Sequence, residues 1–464
     1  MTRTSPLGAA IAALAVVAVL AGCDGGGSSG EVKPFLVTFV PGDGEVVSVN
    51  LRRANEVYVE DRFAAGSPFE SFAAAAPRED ALALDSETGT LAVVDLSNLE
   101  EIGLASVVPA AVAFAASGAV APPAGASFLV HDAAFERLFA LDAADPRSPG
   151  LSTEATLAGG AASALADPLG AFVLLVRNEA GTIGVFDFGA PEAPLRIDSV
   201  AGTGPLASAA FASYSSDVAG ALDADGGAFV LLAAGAARSG EPVSSSALPL
   251  GLDGGGGEVP VSWDSFHAIP RVAVVADSGQ VVLVDAADPL APAVLSSFDS
   301  GLAASASLAV HVSPDDRFVA VADTASGSLR FFDLVPETAD PRLAGSFELG
   351  GALAPAGFAP EDDAAAFARR PLYFAGIGGS VLVLADLSLG LGSALLSPAA
   401  AFSPLESPAV YDTKRGAVLV GLDSSGRVVR YGLYDPERGP EAITSADLGL
   451  GSASTGVHLY FRKT

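Results

Sequence analysis

Residues 271–300, RVAVVADSGQVVLVDAADPLAPAVLSSFDS, read as three strands and their joins. Val, Leu and Ala fill 271–276, 281–285 and 293–298, while Asp, Ser, Gly and Pro mark 277–280 and 286–292. The runs suit extended backbone because β-branched and apolar side chains pack well on a pleated surface. The joins suit chain reversal because Gly accepts positive φ, Pro presets its own φ, and Asp and Ser bond to nearby backbone.

The middle run has counterparts along the chain. A polar residue, four residues with apolar ones prominent, and an acid or its substitute recur as Glu45-VVSV-Asn50, Thr90-LAVV-Asp95, Arg137-LFAL-Asp142 and Thr182-IGVF-Asp187. They return as Gln280-VVLV-Asp285, Ser328-LRFF-Asp333, the longer Ser380-VLVLA-Asp386, and Arg427-VVRY-Gly432. The steps between closing residues are 45, 47, 45, 98, 48, 53 and 46, the long one close to two ordinary ones. Short strands at a period in the high forties predict β-propeller blades; a helical solenoid would show 3.6-residue periodicity, which these segments lack. The expected fold is therefore all-β, a single propeller of about eight blades, with seven to nine open.

The long step is the ambiguous part. Residues 219–234 read as the first two strands of a blade, and 239–262 then turn to Ser, Gly and Pro, including Gly254 to Gly257. Either a degenerate blade or a blade with a long surface insertion near 237–266 lies there, and loops of that length concentrate partner contacts. At the ends, the first unit lacks an inner strand, and 456–462 (GVHLYFR) is a spare one. Pairing the two would close the ring and remove two exposed edges. The uncharged stretch 103–130 is broken by Pro109, Pro122 and Pro123, which fits Ala-rich blade strands better than a membrane helix.

The N-terminus carries a different signal. Arg3 precedes an uncharged apolar run over 7–20, followed by Leu20-Ala21-Gly22-Cys23. This resembles the lipobox of bacterial lipoproteins, which implies diacylglyceryl transfer to the Cys23 thiol and cleavage before it. The expected organisation is a signal peptide (1–22), a lipidated Cys23 with a Gly/Ser tether (23–33), and the propeller (34–464). The expected location is the bacterial cell envelope, anchored to a membrane by lipid and either periplasmic or surface-exposed. Cys23 is the only cysteine, so no internal disulfide is available to the mature chain.

Composition narrows the roles. The chain has 464 residues, 50% of them hydrophobic, so a large core is available and wholesale disorder is excluded. A net charge of −30 repels nucleic acid and anionic headgroups, and no basic stripe offsets it.

The unit 275–298 resembles the LVIVD repeat of bacterial surface and secreted propellers, through Asp285, Asp288, Pro289 and Pro292. Asp142, Asp145, Pro146 and Pro149 repeat the pattern, and Asp333 with Asp340-Pro341 stretches it. Units 318–347 and 416–450 are similar to the related YVTN-type repeat, whose turn is echoed by Ser313-Pro314-Asp315-Asp316. The resemblance implies a propeller without one shared activity. The recurrent Asp has a structural explanation: a carboxylate at a strand end accepts N–H bonds from the adjoining turn, and the following Pro stiffens the loop.

Catalytic chemistry finds little purchase. The four histidines, His131, His267, His311 and His458, have no zinc-binding spacing, and no GxSxG elbow with suitably placed partners is evident. Calcium is the one cofactor to consider: Asp223-Ala224-Asp225-Gly226 opens like a calcium loop, with Asp223 and Asp225 as candidate ligands, but lacks the later Glu. Glu361-Asp362-Asp363 and Asp315-Asp316 are further acid groupings. Trp263, Phe266 and His267 mark either a binding lip or a local packing cluster. The leading expectation is a protein-binding or scaffold lipoprotein with an envelope protein partner. The alternatives are a metal-dependent hydrolase of lactonase type, with acids converging at the channel, and a surface structural or adhesive protein.

Overall fold

Nine antiparallel sheets follow one another along the chain, each of four strands except the eighth, whose outer strand is split in two. The computed structural model describes residues 32–463 less 41–43, 54–55, 65–70, 75–77, 86–89, 109–117, 124, 224, 251–257, 335–340, 360–370, 388–394, 398, 414–415, 434–438 and 448–456. The first strands of neighbouring sheets touch one another, so each sheet is a blade with its first strand innermost. The opening segment folds as the sixth blade: Pro260–Ser265 inside, then Arg271–Ala276, Gln280–Asp285 and Ala293–Asp299.

Nine hydrophobic clusters occupy the nine seams between consecutive blades, including the seam between the ninth and the first. Successive side chains on a strand point to opposite faces, and both faces here are buried. In the sixth blade Val272 and Val274 pack towards the fifth, while Ala273 and Val275 pack towards the seventh. That is why these strands are apolar without alternation. Each fully buried Val or Leu contributes about 1.5–3 kcal/mol relative to exposure.

The ring closes through the C-terminus. Val457–Lys463 pairs antiparallel with Val32–Val40 and becomes the inner strand of the first blade. Arg430 in the ninth blade, nearly inaccessible, adds a hydrogen bond to the Leu51 carbonyl of the first at 3.0 Å. The uncharged stretch 103–130 contributes the strands Gly103–Val108, Gly118–Val120 and Ser127–His131. Among the described residues no helix is long and apolar enough to cross a membrane.

The blade count is nine, the upper end of the expected seven to nine. The additional blade comprises Leu206–Ala212, Ser215–Asp223, Ala228–Ala233 and Ser244–Pro249. Its third strand ends in Ala233 where the other repeats carry an acid or its substitute. A short 3-10 helix, Ala234–Ser239, then turns the chain through Gly240 at φ 77°. With the terminal acid gone, the spacing pattern skipped this unit. The expected insertion near 237–266 is corrected: it holds the outer strand of the fifth blade and the inner strand of the sixth, with 251–257 outside the described residues.

The recurrent carboxylates sit at two kinds of turn. On the face bearing the inner-to-second and third-to-outer connections, here the lower face, Asp95, Asp142, Asp187 and Asp285 each accept the N–H two residues onward at 2.7–3.1 Å. On the upper face, Asp223, Asp323 and Asp423 end second strands and accept N–H groups from the hairpins that follow. Asp340 lies outside the described residues, and Asp333 instead pairs with Arg317.

Candidate functional site

The lower face carries two adjoining grooves, of about 470 and 550 Å³, that share Gly125 and Ala126. The first runs between the second and third blades, from Arg78 and Asp95 to Ala143 and Arg147. The second continues past Gly170, Ala171 and Gly189 to Arg238, Ser239 and Gly240 of the fifth blade. The second groove is lined mainly by Gly and Ala, where the inner-to-second loops meet closely. A Cβ on Gly125 would stand 2.9 Å from the Gly170 carbonyl oxygen, so glycine is required there. Beside Gly170, Leu169 is 57% exposed, a large apolar side chain on the rim.

The two arginines along the floor are committed. Arg78, its side chain 2% exposed, forms a two-point pair with Asp80 at 2.8 Å and donates to the Pro122 and Ser127 carbonyls. Its guanidinium also lies 4.0 Å from the centre of the Phe128 ring. Arg238 grips the inaccessible Asp167 of the fourth blade and also pairs with Asp217 of its own. These two guanidiniums are thereby fixed in place, while Arg147 stands exposed at one rim.

The Trp263, Phe266 and His267 group divides among three environments. Trp263 packs on Phe229 of the fifth blade with ring centres 5.2 Å apart and donates its indole N–H to the Ser208 carbonyl. Phe266 is 0% exposed in the core of the sixth–seventh seam and presents nothing outward. His267, its side chain 36% exposed, lies against Asp316. Sequence reading missed Asp264, next to Trp263, and missed that Asp316 receives the loop containing His267. No local spacing pattern joins positions 49 residues apart.

The calcium reading does not fit the geometry. Both Asp223 oxygens accept amide hydrogens, from Thr203 at 2.6 Å, Gly204 at 3.1 Å and Gly226 at 2.7 Å. A carboxylate directed at three N–H dipoles is arranged for donors rather than for a cation. Asp225 lies beside Gly204 on the same turn. Among the described residues no three His, Cys, Asp or Glu gather as a metal would need. The inner strands are built mostly of Ala, Ser, Gly and apolar residues, and Asp264 is the one acid among their described side chains. Among those described side chains the convergence of acids expected of a lactonase-type centre has no counterpart. His311, on the inner strand of the seventh blade, is drawn down to about 4 by burial, so its imidazole is neutral at pH 7. Cys23 and 361–363 lie outside the described residues.

No family model matches the sequence, and no curated protein matches it. Solved structures do. The chain is similar to Sqt1 of Saccharomyces cerevisiae at 8% identity and TM-score 0.51, over 79% of this chain and 96% of that one. It is also similar to the dihydro-heme d1 dehydrogenase NirN at 13% identity and TM-score 0.50, over 91% of this chain and 74% of that one. AztD of Citrobacter koseri aligns over 93% of this chain and 98% of that one, at 9% identity and TM-score 0.48. At these identities the likeness to Sqt1 and NirN concerns the fold alone, and with the nine paired sheets it establishes the chain as a single β-propeller.

Proposed function

We propose that this propeller is a protein-binding scaffold, held in a bacterial envelope by lipid on Cys23. The observation that carries the reading is the pair of joined grooves on the lower face. A floor whose arginines are held by carboxylates and whose second half is built mainly of Gly and Ala, with an exposed leucine adjacent in sequence to Gly170, fits an extended segment of a partner protein. The start of the segment read as a contact region, Ser239 and Gly240, lines the second groove. The β-propeller fold commonly serves protein binding, and the likeness of its repeats to LVIVD and YVTN units supports an envelope setting. A net charge of −30 favours a basic partner and makes its capture fall with ionic strength.

The test is crosslinking in intact cells followed by purification through a C-terminal tag, comparing wild type with Leu169→Glu and Ser239→Trp. Both positions are exposed, so the fold should persist. A stoichiometric partner lost at least tenfold in both variants supports the reading; capture unaffected by either change removes the groove from it. Cys23→Ser should move the protein from the membrane to the soluble fraction, and retention on the membrane would overturn the anchor.

A further inference from the structure

The seam between the sixth and seventh blades holds a group of ionisable side chains that the binding reading does not use. The inner strand Pro260–Ser265 leads into the loop 266–270, and the next inner strand, Leu308–Val312, leads into the turn 313–317. Asp264 accepts the Val312 N–H across the seam at 2.8 Å and the Ser265 N–H at 2.8 Å. Asp316, held at φ 58°, accepts three successive N–H groups of the opposite loop: His267 at 2.6 Å, Ala268 at 2.8 Å and Ile269 at 3.2 Å. A non-glycine residue in that conformation is strained, and the three bonds are what hold it there.

His267 lies between the two carboxylates. The buried Nδ1 has no hydrogen-bond partner and faces the Asp316 carboxylate at 3.7 Å. A lone pair on Nδ1 would point at a negative charge, whereas a proton there makes the placement attractive. The placement therefore calls for a proton on Nδ1, and the charges of Asp316 and Asp264 favour the charged ring. Neighbouring charges are engaged elsewhere: Arg317 pairs with Asp333, and Asp315 accepts the Ser313 hydroxyl at 2.5 Å.

We propose that this seam is a protonation latch: charged His267 clamps the loop 266–270 to the turn 313–317, and loss of its proton loosens both segments on the lower face.

The sign follows from the environment. Desolvation works against the His267 charge, but Asp316, Asp264 and the Ser313 backbone outweigh it and raise the group above its ordinary value. Its contribution is complete below about 6.5, the unfolded value, and is lost as pH rises through the folded one. Asp264, raised to about 6 by burial, is ionised over the range in which His267 loses its proton and so supports the charged ring there. Asp316 is lowered against desolvation by its bonds to His267 and Ala268, so it stays ionised throughout this range. The latch is tight in mild acid and opens towards alkaline pH.

The experiment joins NMR titration of the histidine rings, with the His267 signal assigned by its loss in His267→Gln, to hydrogen exchange of 266–270 at pH 6 and pH 9. Exchange is corrected for the intrinsic chemical rate. His267 should titrate above 6.5, and protection of 266–270 should fall at least tenfold at pH 9 in wild type and hold constant in His267→Gln. The segment 238–243, anchored away from this seam by the ion pairs of Arg238 with Asp167 and Asp217, should keep its protection. Should His267→Gln fail to fold, Asp316→Asn serves: it should bring the His267 titration down by at least one unit. Titration at or below 6.5, equal protection at both pH values, or parallel loss in 238–243 would each overturn the latch.

Discussion

The indole N–H of Trp263 donates to the Ser208 carbonyl at 2.6 Å, so the only tryptophan ties the inner strands of the fifth and sixth blades. Ser208 sits at a register shift with φ 48°, which turns its carbonyl out of the ladder. Gly220 makes room for the ring: a Cβ there would stand 2.7 Å from the indole Cη2. Trp263→Phe should lower the stability to urea by about 1 kcal/mol, for the stranded carbonyl. Trp263→Ala should cost about 3 kcal/mol, since the packing on Phe229 goes as well. Circular dichroism is the readout, and equal midpoints for the two variants would refute this division.

Removing the closing strand tests the ring itself. Truncation before Val457 leaves Val32–Val40 as an open edge in the first blade. The truncated chain should self-associate or unfold at markedly lower temperature, as seen by size exclusion and calorimetry. A monomer with an unchanged Tm would show that the pairing adds nothing.

Asp223 is expected to act as a turn clamp rather than a ligand. Asp223→Ala leaves the N–H groups of Thr203, Gly204 and Gly226 without their acceptor and should destabilise the fold by about 2–3 kcal/mol. Isothermal titration of the wild-type protein with calcium should give no binding heat. A saturable heat abolished in Asp223→Ala would restore the calcium reading.

Tyr373 carries a buried hydroxyl that finds no hydrogen-bond partner among the described residues, and burial raises its ionisation well above the usual phenol. Its ring is edge-on to Phe331 and Phe358 at 5.2 and 5.1 Å. Tyr373→Phe keeps that packing and removes the unsatisfied group, so the variant should be about 1 kcal/mol more stable. A lower Tm would mean that the hydroxyl is satisfied in solution.

Acid should attack the upper-face turns. Against the desolvation that opposes it, Ser307 and Ser326 hold Asp323 below the ordinary carboxylate range, and Ser425 and the Arg427 N–H do the same for Asp423. Groups lowered in the folded state add stability that is present above about 3.9 and lost as pH falls through the folded values. Tm should hold down to roughly pH 4 and decline below it. The double variant Asp323→Asn, Asp423→Asn should show a shallower decline; an identical slope would remove these residues from the cause.

The propeller was legible in the chain because its blades are local. Each is a meander of short strands whose apolar runs and Asp-capped turns lie within about fifty residues, a distance over which spacing and composition still register. The fifth blade was legible only in part, through the strands within 219–234, because Ala233 lacks the acid that marks its siblings and the helical turn after it reads as loop. What the sequence determined by itself was the strand-and-turn repeat, the closing strand, the absence of a recognisable catalytic motif and the lipobox resemblance. The tertiary structure alone decided which side chains meet across seams. Gly125 against Gly170, Arg238 against Asp167, and His267 against Asp316 are pairs 45, 71 and 49 residues apart, brought together only when consecutive blades pack side by side. Contacts of that kind depend on which residues of neighbouring repeats come level at a seam, and no pattern within one repeat encodes it.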